Sequence, residues 1–245
     1  MVAALLLCDS VSLCLCGEKG TMKEPVVISW SGGKDSAMAL YEVQRSGAYD
    51  VLALLTTVTA DYDRVSMHGV RRELVQRQAQ SLGVSLEPIW ISKNASNEEY
   101  ESKLLQALRR YQDRGVRRAV FGDLFLEDIR AYRENVLGRI GMSGIYPIWQ
   151  RDTTQMAQDF IALGFRAIVI CVDSRVLPAS FAGKVVDQEL LRSLPPGVDP
   201  CGENGEFHTF VYAGPILSEE VRFTAGEVVL RDSFYFCELS SEFRL

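Results

Sequence analysis

Ser31-Gly32-Gly33-Lys34-Asp35-Ser36 follows directly on the apolar run Pro25-Val26-Val27-Ile28-Ser29-Trp30 and leads into Ala37-Met38-Ala39-Leu40-Tyr41-Glu42-Val43. The spacing predicts a buried strand, a glycine turn and a helix. That arrangement grips phosphate: glycines allow close backbone approach, and the amides and dipole of the first helical turn face the anion. Ser31, Ser36 and Lys34 add donors and a positive charge, while Asp35 beside a phosphate calls for a divalent cation or a reacting group between them. A second dense patch, Asp199-Pro200-Cys201-Gly202-Glu203-Asn204-Gly205-Glu206-Phe207-His208-Thr209, holds two glycines, two glutamates and one of only two histidines. Its glutamates could converge on an amine, a cationic group or a metal, and His208 could move a proton near neutral pH.

The Walker loop fails on spacing, because the position five before Gly33 is Ile28 and Lys34 is followed by Asp35. No Gly-x-Gly-x-x-Gly follows the strand, which excludes the dinucleotide fingerprint. The six residues instead resemble the PP-loop, Ser-Gly-Gly-x-Asp-Ser, of the adenine nucleotide alpha hydrolases, in which ATP is cut between its α and β phosphates.

Strands and helical periodicities alternate after Pro25. Val51–Val58 reads as a central parallel strand, Leu86 to Ile91 as a strand near an edge because of Pro88, and Ala119–Gly122 as a further strand. Ile145 to Trp149 and Ala167 to Val172 read as strands around a helix at 153–163. This predicts a doubly wound α/β domain whose ligand lies beyond the carboxyl ends of the strands. The loop 31–36, the end of the second strand (Thr56, Thr57 and Val58, continuing to Thr59) and Gly122-Asp123 are then expected to face one pocket, with His68 on a loop that could close over it. From Phe207 onward alternation replaces helical spacing, predicting a small antiparallel sheet. The expected division is an extension or start-site artefact over 1–21, a nucleotide-binding domain over 22–141 and a smaller lobe over 142–245. Trp30, Trp90 and Trp149 are expected in the core.

The net charge of −6 argues against nucleic acid as the main partner. Arginine outnumbers lysine about three to one, which makes the placement of Lys34 more telling. Six cysteines without a Cys-x-x-Cys give no zinc or redox signal and fit a reduced cytoplasmic setting. The apolar stretch from Val2 to Leu7 has no basic residue before it and is too short to span a membrane.

Taken together, Ser31–Ser36, the Glu203-Asn204-Gly205-Glu206 element with His208, Phe121-Gly122-Asp123 and Tyr146-Pro147-Ile148-Trp149 resemble the diphthine–ammonia ligase family. The resemblance runs from about Met22 to Phe210, with Asn204 standing where the family has glycine. Longer eukaryotic members carry further C-terminal domains, so the resemblance places the chain with the short archaeal or bacterial form. It implies a nucleotide alpha hydrolase fold, ATP and Mg²⁺ as cofactors, ammonia as a substrate, and adenylation of an acceptor carboxylate, diphthine on elongation factor 2 being the family's acceptor. It further implies ATP binding by Ser31, Gly32, Gly33, Lys34, Asp35, Ser36, Gly122 and Asp123, with adenine against Thr56, Thr57 and Val58. Lys34, Asp35, Glu203 and Glu206 would serve catalysis; His68, Asn204, Gly205 and His208 would join the two glutamates around the acceptor or ammonia. Which carboxylates hold Mg²⁺ stays open, with Asp35 and Asp123 the candidates. The competing readings are a PP-loop enzyme acting on another substrate, including tRNA, and a non-catalytic ATP-binding module.

Overall fold

The computed structural model describes residues 23–241, so the expectation for 1–21 lies outside the described residues. The first sheet is built from β1 (Glu24–Ser29), β2 (Tyr49–Thr59), the short β3 (Arg64–Val65), β4 (Leu86–Ile91), β5 (Arg118–Val120) and β6 (Ser143–Ile145). Its parallel strands run β4-β2-β1-β5-β6, and β3 folds back antiparallel on β2. The chain therefore winds outward from β1 through β2 to β4, then returns to the other side of β1 with β5. The reversal falls between β1 and β5, and the carboxyl ends of those two strands carry the 31–36 loop and Gly122-Asp123, where a doubly wound sheet binds ligands.

Burial explains the continuous apolar runs. Val26 and Ile28 join one core with α1 (Lys34–Ser46) and α2 (Arg72–Leu82). Val27 points the opposite way, into a core with Leu108 and Tyr111 of α3 (Asn97–Gln112) and Leu137 of α4 (Glu127–Gly138). Both faces are covered, so alternation disappears from the sequence. α3 begins at Ser96, whose hydroxyl accepts from the Glu99 amide, with acids in its first turn and arginines in its last.

A helix α5 (Thr153–Ala162) leads to β7 (Arg166–Asp173), and after α6 (Gln188–Ser193) come β8 (Phe207–Ala213), β9 (Phe223–Arg231) and β10 (Phe234–Ser241). These form an antiparallel sheet in the order β8-β7-β10-β9. β7 belongs to this sheet, although its apolar run reads as one more strand of the α/β alternation; it is buried on both faces here as well. The segment expected as a strand at 145–149 is strand only to Ile145 and then turns, and the first sheet thus runs through Ile145. Trp30 is buried as expected. Trp90 is 42% exposed and lies under the Arg72 guanidinium, and Trp149 stacks with Arg130, so both are platforms for arginines. Cys171, Cys201 and Cys237 are free and buried.

The two sheets share the main core and are also tied by hydrogen bonds through the 31–36 loop. The Val211 amide of β8 donates to the Gly32 carbonyl at 2.9 Å. Gln78 of α2 is fully buried; its side-chain amide donates to the carbonyls of Gly32 (2.9 Å) and Val211 (2.6 Å) and accepts from the Trp30 indole at 2.9 Å. No helix among the described residues is long and apolar enough to cross a membrane.

Candidate active site

A cavity of about 430 Å³ opens where the two sheets meet. Its wall contains Ser31, Lys34, Asp35 and Ser36 from the first loop, Gly122 and Asp123 from the end of β5, and Glu203, His208 and Thr209 from the C-terminal sheet and its leading loop. His68 and Met67 close one side; Leu126, Ile129 and Arg133 come from α4 and the turn before it.

The first loop is built for close approach. Gly32 has φ +81, and a Cβ there would sit 2.7 Å from the Gln78 side-chain oxygen. Gly33 caps α1 without a side-chain bond, so the first amides of the helix depend on other partners. The Lys34 amide donates to Thr209 Oγ1 at 3.0 Å. Among the described residues, the Ser36 amide has no protein acceptor, while its hydroxyl donates to the Gly33 carbonyl at 2.9 Å. Gly122 packs flat on the same turn: a Cβ would lie 2.7 Å from the Asp35 carbonyl and 2.9 Å from the Ser36 nitrogen. Only glycine lets the β5 loop approach the start of α1 this closely.

Lys34 is 3% exposed. Its ammonium donates to both Asp35 carboxylate oxygens at 2.9 Å and to the Cys201 carbonyl, and it lies 5.6 Å above the Phe207 ring. Burial works against its charge, but Asp35 and other nearby acids outweigh that and hold its pKa above the ordinary lysine value. For Asp35 burial pushes the carboxyl up and Lys34 only partly offsets it.

Glu203 reaches the cavity from a loop shaped by Asp199, whose carboxylate accepts from the amides of Cys201 (2.8 Å) and Glu203 (3.2 Å), and by Gly202 at φ +66. Its Oε1 accepts from the Leu124 amide at 2.7 Å, so the loop before β8 and the loop after β5 meet at the cavity. Burial first, then the Asp35 charge, pushes the Glu203 carboxyl up to about 7 against the pull of the Leu124 amide. Glu206 does not line the cavity. It is 6% exposed, and its Oε1 accepts from the Asp199 amide (3.1 Å) and from Asn204 Nδ2 (3.0 Å), bracing the loop that presents Glu203. Asn204 is exposed and Gly205, at φ +88, makes the turn.

His68 and His208 come together with ring centroids 4.4 Å apart. Burial lowers the pKa of both, well below the ordinary value for His68 and to about 4 for His208, with the Lys34 charge adding to the effect. Both imidazoles are neutral at pH 7. The loop bearing His68 is fixed by the Arg64–Glu238 ion pair and by Gly69, which packs against Phe236 of β10. The neighbouring acids Asp61 and Asp63 are occupied by the Lys93 amide and by Arg72.

Thr56, Thr57 and Val58 are not in the cavity wall. β2 continues as strand to Thr59, so Val58 is locked between β3 and β4, and the Thr56 hydroxyl donates to the Trp30 carbonyl at 2.8 Å. Thr57 instead lines a narrow crevice that shares Ser29 and Phe121 with the cavity. Arg133, Thr209 and Gln78 carry no local signal that marks them as site residues; each is recruited from a distant element.

The chain matches the diphthamide synthase N-terminal domain over residues 22–144 and the diphthamide synthase C-terminal domain over residues 152–242. A diphthine–ammonia ligase from Bos taurus is 25% identical over 236 residues, covering 86% of each chain. Another from Danio rerio is 28% identical over 228 residues, covering 84% of this chain and 89% of the relative. One from Schizosaccharomyces pombe is 32% identical over 110 residues, 43% of this chain and 18% of that protein.

Proposed function

From the chain's membership of the diphthamide synthase family, whose two domains it matches in order, we propose that it is an ATP-dependent carbon–nitrogen ligase that converts an acceptor carboxylate into an amide with ammonia. The acceptor we propose is diphthine, which stands in the names of its relatives, carried on elongation factor 2 as the family resemblance implies. The observation that supports the reading is the meeting of Glu203 with the 31–36 loop through Gly122–Leu124, which brings a carboxyl close to a helix N-terminus, the kind of place that suits a phosphate.

In the first step an acceptor carboxylate oxygen attacks the α-phosphorus of ATP; the bond to the β-bridging oxygen breaks and pyrophosphate leaves. The Ser36 amide and the dipole of α1 face the phosphates, and Lys34 exchanges Asp35 and the Cys201 carbonyl for phosphate oxygens. The adenine lies in the main cavity of about 430 Å³, because the adjoining crevice lined by Thr57 and Ser29 has room for only about 10 Å³, too little for a purine ring. In the second step ammonia attacks the acyl carbon and AMP leaves. With a pKa near 7, Glu203 is suited to accept the proton that the attacking nitrogen must lose. His68 and His208, both neutral, border the acceptor and can accept or donate hydrogen bonds without adding charge.

No three His, Cys, Asp or Glu groups among the described residues converge on a metal site. The donor set suits a cation that arrives with the nucleotide and needs one or two carboxylates, Asp35 or Asp123, which line the cavity. Mg²⁺ held there would offset charge on the phosphates.

The test is transfer of ¹⁵N from labelled ammonium to diphthine-bearing elongation factor 2 in the presence of ATP. Incorporation dependent on enzyme and ATP supports the reading; ATP turnover without incorporation overturns the acceptor assignment.

A further inference from the structure

Two cationic side chains, Lys34 and Arg133, line the cavity, and they differ in what they have left to give. The three donors of the Lys34 ammonium all have acceptors, two on Asp35 and one on Cys201. Arg133 carries five donors in a planar fork. Its Nη2 donates to Asp123 Oδ1 at 3.0 Å. Its Nε lies 2.8 Å from Asp123 Oδ2, yet neither atom makes an aligned hydrogen bond although both are buried. The guanidinium is held over the Phe121 ring at 4.5 Å, with Tyr100 beside it, so its orientation is set by packing.

The reaction brings two kinds of anion into this cavity, a triphosphate and a carboxylate, and the amides at the start of α1 and Lys34 suit the first. Arg133 stands on another element, α4, and its partner Asp123 lies between Gly122, which touches the start of α1, and Leu124, whose amide holds Glu203. A carboxylate bound at Arg133 thus sits within the same short segment that fixes both the phosphate loop and the proton acceptor. A planar fork matches a carboxylate in a way that a point charge does not.

We propose that Arg133 is the specificity residue that binds the acceptor carboxylate and aligns it for attack on ATP, giving up part of its contact with Asp123 when it does so. This rests on the ligase reading above. With the guanidinium gone the carboxylate loses a charge-assisted, bidentate contact, so kcat/KM for the acceptor falls by about 100-fold in Arg133→Met and at least about 10-fold in Arg133→Lys. The Kd for ATP changes by less than about threefold, because no phosphate contact is assigned to Arg133.

The assignment is tested independently of the acceptor on the wild-type protein. Labelled with ¹⁵N-arginine and saturated with a non-hydrolysable ATP analogue, the protein is titrated with acetate, the smallest carboxylate. One buried guanidinium resonance shifts saturably, and Arg133→Lys identifies it by its absence. No saturable shift overturns the inference, as does a matched loss of ATP affinity and acceptor kcat/KM in Arg133→Lys, which would make Arg133 a strut for Asp123. If the wild type shows the acetate shift yet amidates no diphthine, the choice of acceptor fails and the assignment of Arg133 stands.

Discussion

Replacing Glu203 by Gln should stabilise the protein above neutral pH while slowing the reaction. The carboxyl has an ordinary value of 4.5 and is pushed up to about 7, chiefly by burial. Because its folded value lies above its unfolded one, the folded chain holds the proton longer, and wild-type stability falls as pH rises from about 4.5 to about 7. A gap of about 2.5 in pKa, at about 1.4 kcal/mol each, sets an upper bound of about 3.4 kcal/mol. The side chain still faces the cavity, so solvent screening leaves about half, roughly 1.5 kcal/mol. Glutamine keeps an oxygen to accept from the Leu124 amide and carries no charge to desolvate. Urea unfolding of Glu203→Gln and wild type should differ little at pH 5 and by about 1.5 kcal/mol in favour of the variant at pH 8. With no proton acceptor on the attacking nitrogen's side, kcat should fall by about 10²-fold or more. A variant that is less stable than wild type at pH 8, or whose advantage grows as pH falls, would refute the view that Glu203 is a desolvated carboxyl held for proton transfer.

Gly122→Ala places a Cβ against the Asp35–Ser36 peptide, so ATP affinity should drop by about 10-fold or more, measured by calorimetry, with little change in overall fold by circular dichroism. Gln78→Leu leaves the Trp30 indole and the Val211 carbonyl without their buried partner and should cost about 2–4 kcal/mol in urea unfolding. The His208 ring resonances should titrate near pH 4, and a midpoint near 6.5 by NMR would show that the cavity does not desolvate it.

The strand, turn and helix around residues 31–36 were legible because they are local: a strand, two glycines and a helix start lie within a few residues, and the turn chemistry is written in residue types. The second cluster was legible as composition, but its division of labour was not. Glu203 and Glu206 are three apart, yet one enters the cavity and the other braces the turn, a difference set by Asp199 and the αL conformation of Gly202. Gln78 and Arg133 give no local sign, since a glutamine or an arginine on an amphipathic helix ordinarily faces water; only the approach of β8 and of the β5 loop brings them into use. The end of β2 was expected to face the pocket, as the carboxyl end of a parallel strand does, but pairing with β3 and β4 carries the strand on to Thr59. β7 is apolar on both faces in either kind of sheet, so periodicity could not tell parallel from antiparallel neighbours.

The most direct test of adenylation is the nucleotide product formed from α-labelled ATP with Mg²⁺, ammonium and diphthine-bearing elongation factor 2. Adenylation predicts AMP and pyrophosphate in step with amide formation, with AMP suppressed when the acceptor is left out; ADP formed in step with the amide would contradict it.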